Sequence, residues 1–129
     1  MRSLVLSLFL VVSAQAMGAV ELGKYRAVDA DTKSITADLE LRDNGTSSIT
    51  ISTPDLPKPI PCAGKYKVEA KMLSADVKCK SDLLSEASVK IDITNVTPEG
   101  LRSENGVNVN VIIDALGDDP IAFILKKND

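Results

Sequence analysis

The chain has no histidine and no tryptophan, only two tyrosines and two phenylalanines, and only two cysteines. Each shortage closes a door. Without histidine the commonest general base is missing, and with it the usual Ser-His-Asp triad and the commonest metal ligand. With so few aromatics and a formal net charge of −3, the chain lacks the basic surface and stacking rings of a nucleic-acid binder. No Gly-rich phosphate loop and no ligand cluster of known metal spacing is present, so no cofactor is expected. No apolar run reaches the length of a membrane-spanning helix, and no lipidation signal follows, so no stable membrane anchor is expected.

What is present begins at the N-terminus. Arg2 is followed by an apolar run, Leu4 to Val12, broken only by Ser7, and then by Ser13-Ala14-Gln15-Ala16. This is the order of a secretory signal peptide with an A-x-A cleavage site before Met17. Residues 1–16 are therefore read as the signal peptide and 17–129 as one domain of about 113 residues. Loss of Arg2 moves the net charge to −4. The expected location is periplasmic or extracellular, where a disulfide persists.

The most informative stretch runs from Cys62 to Cys79. Cys62, Gly64, Tyr66 and Val68 fall on one face of a strand, and Leu73, Ala75, Val77 and Cys79 on one face of the next. A two-residue turn at Ala70-Lys71 pairs residues whose numbers sum to 141. Cys62 then faces Cys79, Tyr66 faces Ala75, and Lys65 meets Asp76 on the outer face. A slip of one residue would undo all of this together. Both cysteines are thereby assigned to a structural disulfide rather than to a metal or a redox pair. Ala-Lys is not the Asn-Gly that such turns prefer, so a longer bulged loop is the alternative.

Period-two alternation places further strands on both sides. Residues 19–30 form the first, with Val20, Leu22, Tyr25 and Val28 as its larger apolar residues and a change of phase at Gly23-Lys24 that suggests a bulge. Ile35 to Leu41 is the second and the segment around Ile49 and Ile51 the third, joined at Asn44-Gly45, which predicts a type I′ turn. Four prolines in Pro54–Pro61 predict a stiff, extended loop. A short helical turn is expected at 81–85, a sixth strand from Ala87 to Ile93, a polar loop at 98–106, and a seventh from Val107 to Ile113. The eighth, Ile121 to Lys127, is apolar on both faces, so its outer side needs a cover: a terminus, a loop or a second subunit. The expected fold is an all-β, eight-stranded antiparallel up-and-down β-barrel, with an open β-sandwich as the alternative.

Gly23-x-Tyr25, the strand-DNGT-strand unit, and Cys62-x-Gly64-x-Tyr66-x-Val68 with a return strand ending in Cys79 together resemble small bacterial lipocalin-like domains. Tyr25 stands where the G-x-W motif of lipocalins has tryptophan. The resemblance covers the first two-thirds of the mature chain and implies an exported calycin-type barrel.

Function is expected to be binding without catalysis. The barrel interior, with Leu39, Ile49, Tyr66, Val77, Ile91, Val109 and Ile113, would pack on itself or hold a small apolar ligand. The candidate ligand contacts are Tyr66, Leu39, Ile91 and Val109. Tyr66 is the one polar handle among them, or else a packed ring whose hydroxyl reaches the rim. The alternative is an inhibitor or interaction partner of another exported protein, using Leu56, Lys58 and Ile60 on the proline loop. Asp29-x-Asp31-x-Lys33-Ser34 has a faint calcium-loop look without the later glycine and glutamate, and reads better as turn chemistry. Asp118-Asp119 reads as a solvated turn. Asn44 and Asn95 sit in glycosylation sequons, which matter only in a eukaryotic secretory pathway.

Overall fold

The computed structural model describes residues 20–128; the expected signal peptide, its expected cleavage site and the beginning of the expected first strand lie outside the described residues. Alternating short polar and β-branched residues form eight strands: β1 (Gly23–Asp29), β2 (Thr36–Leu41), β3 (Thr46–Ser52), β4 (Ile60–Glu69), β5 (Met72–Cys79), β6 (Glu86–Asp92), β7 (Val107–Ile113) and β8 (Ile121–Lys127). Each pairs antiparallel with the next, and β8 pairs with β1 to close the barrel. The up-and-down barrel is thus the fold, and the open sandwich is excluded. One short helix, α1 (Pro98–Arg102), and a 3-10 turn (Asp114–Leu116) complete the secondary structure among the described residues.

The β4–β5 register matches the alternation residue for residue. Cys62 opposes Cys79, Tyr66 opposes Ala75, Lys65 opposes Asp76, and Ala70-Lys71 forms the two-residue turn. Ala70 has a positive φ of 54° and Lys71 does not, which is the φ pattern of a type II′ turn. The amide N–H of Lys80 donates to Pro61 O across 3.0 Å. Pro61 and Lys80 are therefore a hydrogen-bonded pair and the cysteines next to them a non-hydrogen-bonded one, where opposed backbones approach more closely. Their Cα atoms are 4.0 Å apart and the disulfide is formed. At Gly64 the two strands come so close that an added Cβ would lie 1.9 Å from Asp76 O, a backbone atom that cannot step aside.

Several local expectations are corrected. The β2–β3 connection is a three-residue loop rather than a type I′ turn. The Gly45 N–H donates to Arg42 O, and only Gly45 takes positive φ, at 81°, as in a type I turn followed by a G1 bulge. In β1 the strand starts at Gly23, so Tyr25, Ala27 and Asp29 point inward, Leu22 is exposed and Val28 is half-buried on the outer side. Residues 53–59 bend rather than extend: Leu56 N–H donates to Thr53 O, and Asp55 N–H to Thr53 Oγ1. Ile60 and Pro61 already belong to β4, and proline is tolerated there because its missing donor falls at the end of the ladder. Residues 81–85 are bends without a helical turn. The expected polar loop at 98–106 instead opens with α1, capped by Thr97 Oγ1, which accepts from Gly100 N–H, and started by Pro98 at the first turn.

The two ends of the barrel differ. Connections 42–45, 70–71 and 93–106, together with residues 20–22 and Asn128, gather at one end. That end is plugged: Leu101 of α1 is 1 % exposed, and Val20, Ile93 and Val96 are buried beside it in the core. Arg102 grips the Glu21 carboxylate through both terminal nitrogens at 2.7 and 3.1 Å, and the Tyr25 hydroxyl donates to Glu21 O. The residues after α1 fold back on the outer face of β8, where a Cβ on Gly106 would sit 2.8 Å from Ile124 Cγ2. A loop therefore provides the cover that the doubly apolar β8 requires.

Two substitutions test this account of the hairpin. Ala70→Gly relieves a left-handed residue and is expected to stabilise the protein by about 0.5–1 kcal/mol. Gly64→Ala is expected to cost about 3 kcal/mol or more, because the strands must separate. Urea unfolding of both variants beside the parent reads the two shifts; equal effects would contradict the backbone geometry.

Candidate functional site

Tyr66 lies at the plugged end. It is 9 % exposed, and its hydroxyl donates to Arg42 O across 3.0 Å. Burial first, and the nearby Asp43 carboxylate second, push its phenol above the ordinary value, so the ring carries a proton to donate. Leu39, Ile91 and Val109 are buried in the wall of the barrel. Leu39 lies between Tyr25 and Ile49 of the adjacent strands, Ile91 between Leu73 and Val111, and Val109 beside Phe123. Their faces are spent on packing against one another. The three residues of the proline loop are also separated: Ile60 points into the core, Leu56 is half-buried against it, and Lys58 alone is fully displayed.

The open space lies at the other end, where connections 30–35, 53–59, 80–85 and 114–120 meet. A cup of about 530 Å³ occupies this mouth. Its floor is the last inward layer of the strands, Ile51, Ile60 and Ile113, and its walls are Ile35, Leu56 and Leu84, with Leu83 and Leu116 at the rim. The volume falls within the range of small-molecule pockets, and so does the largely apolar lining. A second recess of about 350 Å³ adjoins it between the 53–59 and 80–85 connections. The two share Leu56, Ile60 and Leu83, and the recess adds Lys58, Lys80 and Asp82.

Two interactions hold the connections that build this mouth. The first is the disulfide. Cys62 begins two residues after Ile60, and Cys79 ends β5; Cys79 N–H donates to Ser85 O at 2.8 Å and Lys80 N–H to Pro61 O. The bridge therefore fixes the feet of the 53–59 and 80–85 connections together. The second is Asp29. It is 4 % exposed, and its carboxylate accepts from the N–H groups of Asp31, Thr32, Ser34 and Ile35 and from the hydroxyls of Thr32 and Ser34. This shell folds residues 30–35 into place and presents Ser34 and Ile35 to the cup. It holds the Asp29 carboxyl well below the usual carboxylate range, chiefly through the Thr32 hydroxyl and then the Thr32 N–H, with burial opposing.

The Asp29-x-Asp31 stretch is thus an anion satisfied by donors, which is the reverse of a calcium loop. Among the described residues no group of three or more Asp, Glu, Cys or His is placed to hold a metal ion. Of the cup residues, sequence reasoning placed Ile113 in the ligand-holding interior but missed Ile35, Ile51, Leu84 and Leu116. Their signal was apolar side chains at strand ends running on into connections that should be polar, as at Leu56, Leu83-Leu84 and Leu116. The chain matches no protein-family profile, no curated protein and no solved structure.

Reduction of the Cys62–Cys79 bridge, which spans 17 residues, is expected to cost about 3 kcal/mol of stability. Calorimetric melts with and without a phosphine reductant should differ by roughly 10–20 °C; coincident melts would contradict a stapling role. For Asp29 the folded pKa is lowered, so its contribution is complete above the unfolded value near ~4 and is lost as pH falls below it. Urea midpoints followed from pH 6 down to pH 2.5 should therefore drop through that window in the parent, and drop less in Asp29→Asn, which is less stable at neutral pH from the start.

Proposed function

We propose that this protein is an exported, non-catalytic binding module that takes a small apolar ligand in the mouth of its barrel. The observation that carries the reading is the apolar cup itself, set on a barrel whose other end is plugged by α1 and Val20. Ligand pockets concentrate in barrel mouths, and the strands beneath supply a rigid floor. The closed eight-stranded antiparallel barrel is compatible with a calycin-like fold, and the lipocalin-like resemblance of the Gly23-Tyr25 and Cys62–Cys79 segments supports the same reading. The disulfide indicates an oxidising compartment outside the cytosol. The signal-peptide pattern of residues 1–16 narrows that to the periplasm or the exterior of the cell.

A second reading is favoured by one feature. Leu83 is 72 % exposed and Leu116 56 %, both at the rim. Exposed leucines beside the rigid proline connection suit contact with another exported protein. In that case Leu56 and Lys58 contribute from the proline loop, and Ile60 acts from beneath as a support.

Titration with an uncharged fluorescent naphthylamine distinguishes these readings. The ligand module is expected to bind the probe in the low micromolar range or tighter, and Leu84→Asp to weaken binding at least tenfold with an unchanged melting transition. Tyr66→Phe is expected to leave probe binding unchanged and to cost about 1 kcal/mol of stability through the lost bond to Arg42 O. No saturable binding by the parent protein would remove the ligand reading and leave the partner one.

A further inference from the structure

The charge around the mouth is unevenly distributed, and this narrows the chemistry of the ligand. Arg26, Arg42, Lys67 and Arg102 each hold a carboxylate at 2.7–3.2 Å, with Asp38, Glu40, Glu69 and Glu21 as their partners. Lys58 and Lys80 do not; among the described residues neither forms an ion pair. Both line the recess that opens into the cup, and Asp82 is the one carboxylate lining it with them. Asp55 lies on the rim of the cup. Asp114, Asp118 and Asp119 stand on the 114–120 connection, which the strand order places across the barrel from 53–59, and they line neither space. The recess that joins the cup thus carries two ammonium groups against one carboxylate, while the connection across the barrel carries three carboxylates.

We propose that the natural ligand is a single-chain amphiphile with an anionic head, its hydrocarbon chain in the cup and its head at Lys58 and Lys80. This rests on the ligand reading above and specifies it. An anion is costly to bury but not to hold at a wet edge beside two ammonium groups. A hydrocarbon chain gains by leaving water for the leucines and isoleucines of the cup. Leu56, Ile60 and Leu83, common to both spaces, form the passage from head to tail. The floor of Ile51, Ile60 and Ile113 ends the chain's path, and a cup of about 530 Å³ is of a size for one such chain.

The test compares dodecanoate, dodecanol and dodecyltrimethylammonium, each below its micelle concentration. It uses isothermal titration against the mature, oxidised protein at low salt. Dodecanoate is expected to bind about tenfold more tightly than dodecanol, and the ammonium compound more weakly than either. The advantage should shrink in 0.5 M NaCl, because exposed charges are screened. It should vanish in Lys58→Gln/Lys80→Gln, whose dodecanol affinity stays at the parental level. Equal binding of acid and alcohol, or tighter binding of the ammonium compound, overturns the head-group assignment and leaves the apolar cup standing. Failure of all three to bind removes the cup as a ligand site and this proposal with it.

Discussion

The pairing of β1 with β8 is the constraint on which the rest depends. Five residue pairs, from Tyr25–Lys127 to Asp29–Phe123, join the first strand to the last. Without them both strands would expose unpaired backbone donors and acceptors, and the inward residues of β1 and β8 would lose the opposite wall. With them, every strand has two neighbours and every inward side chain faces others across a closed interior. Closure also limits where function can reside. A barrel without edges cannot accept an added strand, so its working surfaces are its outer wall and its two ends.

The ends have been put to different uses. At one, α1 and the segment before β1 cover the core, with Leu101 and Val20 filling the space and Arg102 clasping Glu21. That exposed pair adds little energy by itself, but it joins two segments that both lie over the core. At the other end, among the described residues, no α-helix covers the last isoleucine layer. The connections there are short and held from below, one by the Asp29 shell and two by the disulfide. A recess maintained by fixed feet rather than by a flexible lid loses little entropy when filled.

Much of the barrel was legible in the sequence because period-two alternation is local. The β4–β5 register could be read to the residue, since the sulfurs, the apolar faces and Lys65–Asp76 all had to agree. Where a reading failed, a local signal had been outweighed by something outside its window. Asn44-Gly45 is a strong type I′ signal, yet Asp43 joins the loop and shifts the left-handed residue to Gly45 alone. Leu101 escaped because five helical residues are too few to show a period, although Thr97-Pro98 marked the start. Ile60 looked like part of an exposed loop because prolines flank it, but the pairing with Ile51 draws it inside. The cup was the least legible feature, since its residues come from four connections scattered between positions 34 and 116. Only the closed topology brings them together.

The position of the two cysteines within a single hairpin bears on how the chain matures. They are 17 residues apart, and two cysteines permit one intramolecular bridge. Oxidation therefore needs no shuffling among wrong pairings, which is the slow part of maturation in proteins with several bridges. Nor must it await the β1–β8 contact, which spans nearly the whole domain and carries the largest loop-closure cost. The hairpin can be locked while its flanks are still unfolded, because its bridge needs no contact with any other strand.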